Sequence, residues 1–175
     1  MSHIALPEPD RSIIARRDQI VADLTRLIGS DLVISDEDGR RAFETDALTA
    51  YRRMPLAVVL PTTTEQVASV MRYCNEGGIK IIPRGAGTSL AGGVTTNNVL
   101  GVKMVLLTGE VVEIGGPHLD ADGYDLLALI VGSEGQFGVI TEATVRIIRA
   151  AEGARPMLIG FSSSEDAGRC VSAII

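Results

Sequence analysis

The sequence predicts an α+β fold, with a small parallel βαβ lobe followed by an antiparallel lobe. Residues 56–82 contain an apolar stretch, an amphipathic stretch and a second apolar stretch, which is the pattern of strand, helix and strand. Residues 99–114 contain two apolar stretches separated by a short polar turn, which indicates a hairpin. A glycine-rich segment follows each of these regions, so ligand-binding loops are expected in both lobes.

Length and composition restrict the class of protein. A chain of 175 residues can build a single domain with a sizeable core, and its 46% hydrophobic and 22% charged residues are typical of a folded globular protein. Aromatic residues make up only 3%, and the net charge is −6. Nucleic-acid partners are therefore not expected, because few rings can stack on bases and the charge repels phosphate.

Metal binding, secretion and membrane insertion are not expected either. Cys74 and Cys170 stand far apart without a C-x-x-C pair, which indicates plain core thiols. Asp120 and Asp122 supply too few ligands for an EF-hand calcium loop. The sequence has no readable secretory signal and no apolar run long enough to span a bilayer. A cytoplasmic location is expected, with peripheral attachment at the inner face of the membrane as an alternative.

The first elements follow from periodicity and capping residues. Apolar residues recur at helical intervals over residues 13–28, and Gly29 ends this helix. Residues 30–54 show no usable periodicity, and the arginine pairs at 40–41 and 52–53 are expected to face water. A buried strand at 56–60 precedes a helix with capping spacing at Thr62/Glu65 and Thr63/Gln66. A strand at 79–82 would complete a right-handed parallel βαβ unit.

The first glycine-rich segment, residues 83–93 (PRGAGTSLAGG), comes directly after that second strand. Glycines let successive backbone N–H groups converge on an anion, so this segment is a candidate phosphate cradle. Leu90 stands where a Rossmann fingerprint has its third glycine, and the segment has no lysine for a Walker A loop. NAD binding and ATP hydrolysis are therefore disfavoured, and a purely structural turn remains an alternative.

The second half contains more strands and a second glycine-rich segment. Strands are expected at 99–107 and 111–114, followed by a helix over 124–131 capped by Asp122. Gly132, Gly135 and Gly138 then recur at three-residue intervals. A strand at 139–147 follows, with alternate residues from Val139 to Ile147 on one buried face. A helix C-cap joined to a strand bulge is the structural alternative for this glycine loop.

Together the two segments resemble a known family. Residues 83–93 and 132–146 (GSEGQFGVITEATVR) resemble the two FAD-binding signatures of the PCMH-type, or vanillyl-alcohol-oxidase-type, flavoproteins. Residues 55–67 and 94–106 resemble the FAD-linked subunit of glycolate oxidase and the D-lactate dehydrogenases. The resemblance covers nearly the whole chain and implies a PCMH-type FAD-binding domain.

Cofactor contacts follow from the resemblance alone. FAD would lie between the two lobes and oxidise a small 2-hydroxy acid by hydride transfer, and the protein could assemble with other subunits of a glycolate oxidase-type complex. The first segment would wrap the pyrophosphate, and the second would line the adenosine side. The implied cofactor-binding residues are Pro83, Arg84, Gly85, Ala86, Gly87, Thr88 and Ser89 in the first segment, and Gly132, Glu134, Gly138, Val139 and Ile140 in the second.

The chain departs from the family pattern in two places. A long family stretch is missing between the segments matching Gly93 and Val94, and the cap domain that follows the segment matching Ile175 is also missing. The expected organisation is a lead-in at 1–54, the βαβ lobe at 55–93, a remnant of the antiparallel lobe at 94–150 and the start of the cap at 151–175. No catalytic residue is assigned, and turnover by this chain alone is not expected. The alternative is a non-enzymatic remnant that acts through association with other subunits.

Overall fold

The computed structural model describes residues 8–45, 52–85, 98–118, 123–147, 153 and 158–174. The helices are α1 (Arg11–Ala15), α2 (Arg17–Ile28), α3 (Glu37–Arg41), α4 (Thr64–Glu76), α5 (Leu126–Ile130) and α6 (Ser164–Ile174). The strands are β1 (Val33–Ile34), β2 (Val58–Val59), β3 (Val99–Leu106), β4 (Val111–Gly115) and β5 (Gly138–Val145). Within these ranges, no helix combines the length and the apolar content that crossing a bilayer requires.

The N-terminal helical region is divided, whereas the sequence predicts a continuous helix. The Asp10 side chain accepts hydrogen bonds from the backbone N–H groups of Ser12 and Ile13 and so begins α1. Arg16 then leaves the helical conformation, with φ −95° and ψ 10°, and α2 starts at the next residue. Gly29, with φ 100°, ends α2 as expected. The apolar periodicity continues across Arg16 and therefore does not show this break.

Helices α2 and α4 pack together and form the first core. Ile20, Leu24 and Ile28 of α2 lie against Val70 and Cys74 of α4. All five are buried. The apolar stripes that the sequence places on these two helices therefore face each other.

A polar contact lies beside this core. The Tyr73 hydroxyl donates a 2.9 Å hydrogen bond to an Asp23 carboxylate oxygen. Burial, together with the neighbouring Asp23 carboxylate, raises the pKa of Tyr73 from 10.0 to about 12. The folded protein thus favours the protonated phenol, which is the form that can donate.

Alkaline unfolding tests this contact. The stabilisation from Tyr73 is complete below pH 10, the ordinary pKa of tyrosine, and is lost as the pH rises towards the folded-state pKa of about 12. The free energy of unfolding, measured with urea, should therefore fall less steeply over this range in Tyr73→Phe than in the wild type. Tyr124→Phe is the control, because Tyr124 is 92% exposed. Equal slopes in the wild type and Tyr73→Phe would contradict the assignment.

The predicted parallel βαβ pairing does not form in the described residues. β2 pairs antiparallel with β1, with Val33 opposite Val59 and Ile34 opposite Val58. Residues 79–82 adopt no strand conformation. Their apolar side chains still alternate, since Ile79 and Ile81 pack against the helical core while Ile82 is 88% exposed. Alternation shows which side chains are buried, but a strand also needs a neighbouring backbone to pair with. In the described residues the strand that pairs with β2 is β1.

Residues 30–45 contain structure that the sequence does not reveal. A short 3-10 turn at Ser30–Leu32 leads into β1, and α3 follows. The Asp36 side chain caps α3 by accepting a 2.7 Å hydrogen bond from the Gly39 N–H. These elements are too short to show a hydrophobic period in the sequence. They are therefore recognised only in the folded structure, where β1 pairs with β2.

Helix α4 confirms the predicted capping pair Thr63/Gln66, whereas Thr62, the other predicted cap, precedes the observed N-cap Thr63. Thr63 accepts a 3.3 Å hydrogen bond from the Gln66 N–H, and Gln66 Oε1 accepts a 2.8 Å hydrogen bond from the Thr62 N–H. The helix ends at Gly77 and Gly78, where Gly78 has φ 65°. Both ends of the helix therefore lie where its local residues predict.

The second sheet has the order β4-β3-β5 and is antiparallel throughout. The predicted hairpin of β3 and β4 is confirmed, and Gly109, with φ 81°, forms its turn. β5 pairs with β3, but the register shifts between Lys103, opposite Glu142, and Met104, opposite Ile140. This bulge ends the strict alternation of β5. Val139 is partly buried as predicted, whereas Val145 is 56% and Ile147 94% exposed, which corrects the predicted continuous buried face.

Two small clusters join this sheet to the helices. Val105 of β3 is completely buried against Ala68 and Met71 of α4. On the same strand, Met104 packs with Ile130 of α5. Helix α5 starts later than predicted, because Asp125 accepts the capping hydrogen bond from the Ala128 N–H, and the predicted cap Asp122 lies outside the described residues. The clusters fix β3 between α4 and α5.

Candidate cofactor-binding site

The first glycine-rich segment begins at the end of the extended residues 79–82. Pro83, Arg84 and Gly85 are described, and an added Cβ at Gly85 would have no atom of the described residues within 4 Å. The backbone at Gly85 is therefore open to close approach by a ligand. The predicted site residues Ala86, Gly87, Thr88 and Ser89 lie outside the described residues.

The second glycine-rich segment is a tight loop between α5 and β5. Gly132, Glu134 and Gly135 have φ of 86°, 53° and 79°, so three of four consecutive residues are left-handed. Two hydrogen bonds of 3.0 Å hold the loop, from the Ser133 N–H to the Ile130 oxygen and from the Gln136 N–H to the Ser133 oxygen. Glu134 is the only described non-glycine residue with positive φ. The loop combines the predicted helix end with a strained backbone, which is often found at ligand sites.

The two glycine-rich segments meet in the fold. A Cβ added at Gly135 would lie 2.5 Å from Pro83 Cγ, which is closer than real Cβ contacts. A glycine is therefore required at this position both for its positive φ and for the proximity of the proline ring. In the described part of the chain no atom lies within 4 Å of a Cβ added at Gly132, so there the loop is closed at Gly135 and open at Gly132.

The remaining predicted residues of the second segment lie at the start of β5. Gly138 is buried against β3, where an added Cβ would overlap the Val105 carbonyl oxygen and lie 2.8 Å from Met104 Cε. The Val139 side chain packs onto the cluster of Ala68, Met71 and Val105. Ile140 is 47% exposed and Glu134 is exposed. Gly138 and the Val139 side chain thus pack against the protein, while Ile140 and Glu134 can offer side chains to a ligand.

One contact of the first segment was missed by sequence reasoning. The Arg84 Nη1 donates a 2.7 Å hydrogen bond to the Thr45 carbonyl oxygen, and its guanidinium lies 5.5 Å from the centre of the Phe43 ring. Residues 43–45 belong to the stretch without periodicity, so nothing in the sequence connects them with Arg84. The side chain of Arg84 is therefore engaged with the protein rather than pointing freely towards an anion.

Shifted titratable groups lie away from both segments in the described part of the chain. Hydrogen bonds with Glu142 and Glu113, on the strands flanking β3, raise the pKa of Lys103. Burial raises the pKa of the Cys74 thiol to about 11, so it stays protonated and unreactive at neutral pH. His118 is exposed and His3 lies outside the described residues.

An open apolar groove of about 300 Å³ lies beside the first segment. Its walls come from α4, the residues before Pro83 and the turn between β3 and β4. The residues lining it are Met71, Asn75, Ile79, Lys80, Ile81, Ile82 and Leu107. No backbone hydrogen bond within the described ranges involves residues 80–82. The groove thus combines apolar side chains with peptide groups that have no backbone partner among the described residues.

A known protein family is similar to part of this chain. The family described as the FAD binding domain matches residues 55–115, which contain the whole first glycine-rich segment. This match covers 61 of the 175 residues, so this part of the chain is similar to an FAD binding domain. FAD is the cofactor of that family, and the residues present fit such a group, since the backbone is open at Gly85 and Gly132 and the two loops meet at Pro83 and Gly135.

Several curated proteins are similar to this chain. The glycolate oxidase subunit GlcD of Escherichia coli (strain K12) is 28% identical over 250 residues, covering 98% of this chain and 49% of the relative. GlcD of Bacillus subtilis is 24% identical, covering 87% and 49%. D-lactate dehydrogenase of Archaeoglobus fulgidus is 38% identical over 96 residues, covering 54% and 22%. The chain thus spans about half the length of the glycolate oxidase subunits it matches.

The same alignments indicate internal residues that this chain lacks. The alignment with the Escherichia coli subunit extends over 250 residues, although this chain has only 175. Because nearly the whole chain is aligned, the difference must be made of residues inside the aligned region of the relative. The Escherichia coli subunit therefore has internal residues in the aligned region that this chain lacks.

Two solved structures share the fold of this chain. 4-Ethylphenol oxidase from Gulosibacter chungangensis superposes with a TM-score of 0.55 at 15% identity, covering 78% of this chain and 43% of that one. p-Cresol methylhydroxylase superposes with a TM-score of 0.50 at 15% identity, covering 74% and 42%. The α+β, PCMH-type fold class predicted from the sequence is therefore confirmed.

Proposed function

We propose that this chain is the FAD-binding portion of a flavin-dependent oxidoreductase acting on 2-hydroxy acids of the glycolate and D-lactate class. The observation that carries the proposal is the contact of the two glycine-rich segments at Pro83 and Gly135. Separate structural turns need not touch, whereas two walls of one FAD site must lie side by side. The glycolate oxidase and D-lactate dehydrogenase relatives support the substrate class.

In this proposal the two segments hold different parts of FAD. The backbone of residues 83–89 wraps the pyrophosphate, and the open side of Gly85 lets the diphosphate approach. Gly132, Glu134 and the start of β5 at Gly138, Val139 and Ile140 line the adenosine side. When bound, FAD supplies the hydride acceptor for the 2-hydroxy acid, and this chain contributes binding and orientation.

Turnover by this chain alone is not part of the proposal. Hydride transfer needs a flavin ring and a substrate held in near-attack geometry. The family stretch missing here and the cap domain would supply that geometry in this interpretation. In the same proposal, residues 1–54 are a lead-in and residues 55–93 are the pyrophosphate-binding lobe. Residues 94–150 are a partial antiparallel lobe, and residues 151–175 are the beginning of a cap.

Ligand titration tests the proposal directly. Thermal unfolding should shift upward with FAD and with ADP but not with NADH, because only the first two fit a flavin site that lacks a Rossmann fingerprint. A ligand at 100 times its Kd stabilises by about 2.7 kcal/mol. Yellow protein that keeps its FAD after desalting would give the same answer, and a shift with NADH alone would overturn the proposal.

Two glycine variants show whether the contact between the segments matters. Gly135→Ala and Gly132→Ala both place a side chain at a positive φ, but only the first brings a Cβ against Pro83. FAD affinity should therefore fall further in Gly135→Ala than in Gly132→Ala at matched stability, as measured by isothermal titration calorimetry. Equal losses would mean that backbone strain alone controls binding.

A second candidate function is supported by the groove beside Ile82. Ile82 is 88% exposed, and the peptide groups of residues 80–82 have no backbone partner in the described chain. Such an edge can accept a strand from another protein. The chain would then act without chemistry, by association with other subunits of a glycolate oxidase-type complex. Colourless protein that elutes as a complex and is not stabilised by FAD would favour this function.

A cytoplasmic location is part of the same proposal. It is supported by Cys74 and Cys170, which are both free, as expected in a reducing compartment. Cell fractionation tests it, and recovery of the protein in the membrane fraction would instead favour peripheral attachment.

A further inference from the structure

The side chain of Arg84 links two parts of the chain that are far apart in sequence. It donates a 2.7 Å hydrogen bond to the Thr45 carbonyl oxygen and lies 5.5 Å from the centre of the Phe43 ring. A planar guanidinium can make both contacts at once, since it donates in its plane and stacks through its face. The residue directly before Gly85 is thereby fixed to the stretch after α3.

The position of this link, at the entrance to the glycine-rich segment, gives it a role in binding. Gly85 has no described atom close to an added Cβ, and it begins the part of the segment with the highest glycine content. A glycine-rich backbone loses more conformational freedom on ordering than other sequences, and that loss weakens binding. A segment whose first residues are already held in place loses less conformational freedom when it binds a ligand. The anchor therefore lies where pre-organisation has its largest effect on ligand affinity.

We infer that Arg84 is a positioning residue for the diphosphate of the cofactor, acting through Thr45 and Phe43 rather than by contact with phosphate. The inference rests on the proposed function. It assigns residues 43–45 a role in cofactor binding, although they lie outside both glycine-rich segments. It also separates the two parts of Arg84, since its backbone meets the ligand while its side chain holds that backbone in place.

Direct contact of the guanidinium with phosphate is the competing explanation, and the two differ in the role of Phe43. A phosphate contact depends on the positive charge of Arg84 and weakens with salt, and it is indifferent to the Phe43 ring. An anchor depends on the ring. Phe43→Leu leaves the charge in place and removes the ring, whereas Phe43→Tyr keeps an aromatic face.

The affinity of FAD and ADP is measured by calorimetry for Arg84→Ala, Phe43→Leu, the double variant and Phe43→Tyr. We expect a loss of about fivefold or more in each single variant, since a charge-assisted hydrogen bond and a cation–π contact are involved. The double variant should be no weaker than Arg84→Ala, and Phe43→Tyr should bind like the wild type. The salt dependence should be unchanged in Phe43→Leu. Wild-type affinity in Phe43→Leu, or additive losses in the double variant, would overturn the inference.

Arg16→Ala is the matched control. The Arg16 Nη2 also donates to a distant backbone oxygen, that of Gly77, at 3.1 Å, and it is exposed. Arg16→Ala removes a comparable hydrogen bond from an arginine to a backbone carbonyl, at a position away from both glycine-rich segments. Ligand affinity should therefore stay at the wild-type level in Arg16→Ala.

Hydrogen exchange gives a readout that needs no ligand. Amides in peptides covering residues 83–89 should exchange faster in Arg84→Ala and Phe43→Leu than in the wild type or Arg16→Ala. Wild-type protein that binds neither FAD nor ADP would overturn the proposed function, and the exchange rates would still decide whether Arg84 anchors the segment. Unchanged exchange in both variants would show that it does not.

Discussion

Replacing Gly138 with alanine is expected to destabilise the fold by about 3 kcal/mol or more, because a buried backbone position cannot accept a Cβ without displacing a neighbouring strand. An added Cβ would overlap the Val105 carbonyl oxygen and meet Met104 Cε at 2.8 Å. The methionine could move, but the carbonyl belongs to the backbone of the central strand β3. The register of β5 on β3 would have to change.

Urea unfolding of Gly138→Ala and Gly160→Ala measures this effect. Gly160 has no atom within 4 Å of an added Cβ, so its variant should stay within about 0.5 kcal/mol of the wild type. Adding Met104→Ala to Gly138→Ala should give no rescue, since the carbonyl overlap would persist. A stable Gly138→Ala protein would mean that β5 does not pack on β3 as described.

Replacing Ile130 with alanine should cost about 2–5 kcal/mol, as expected for a large aliphatic side chain removed from a core. Ile130 is 5% exposed and packs with Met104 and Val102. It lies at the end of α5, directly before the second glycine-rich loop, and its carbonyl accepts the hydrogen bond from the Ser133 N–H. Loss of this side chain should therefore loosen the loop and weaken FAD binding as well.

Leu129→Ala is the matched control on the same helix. Leu129 is 58% exposed, so its replacement should change the free energy of unfolding by no more than about 0.5 kcal/mol. Thermal unfolding and FAD titration of both variants check the prediction. Similar losses in the two variants would place the buried face of α5 elsewhere.

Local patterns predicted the long elements well. Helix α4 begins and ends where Thr63 and Gly77 predict, and the β3–β4 hairpin has its turn at Gly109. These features depend on interactions within a few residues, namely capping hydrogen bonds and positive φ. For the same reason the break at Arg16 was not foreseen, because the apolar stripe continues across it.

The candidate site was predicted only in part. The glycine spacing and the family resemblance selected both segments, and the structure brings Pro83 of one against Gly135 of the other. The Arg84 anchor and the packing of the Val139 side chain into the core had no signal in the sequence. Both depend on which residues become neighbours after folding.

By itself, the sequence determined the α+β class, the positions of the two glycine-rich segments and the relation to FAD-linked proteins. Only the tertiary structure decided that β2 pairs with β1 instead of with residues 79–82, and that the second half of β5, beyond the bulge opposite Lys103, is exposed to solvent. The physical reason is that strand pairing depends on which backbone is available as a partner. Side-chain alternation records burial, but it does not record the identity of the neighbouring strand.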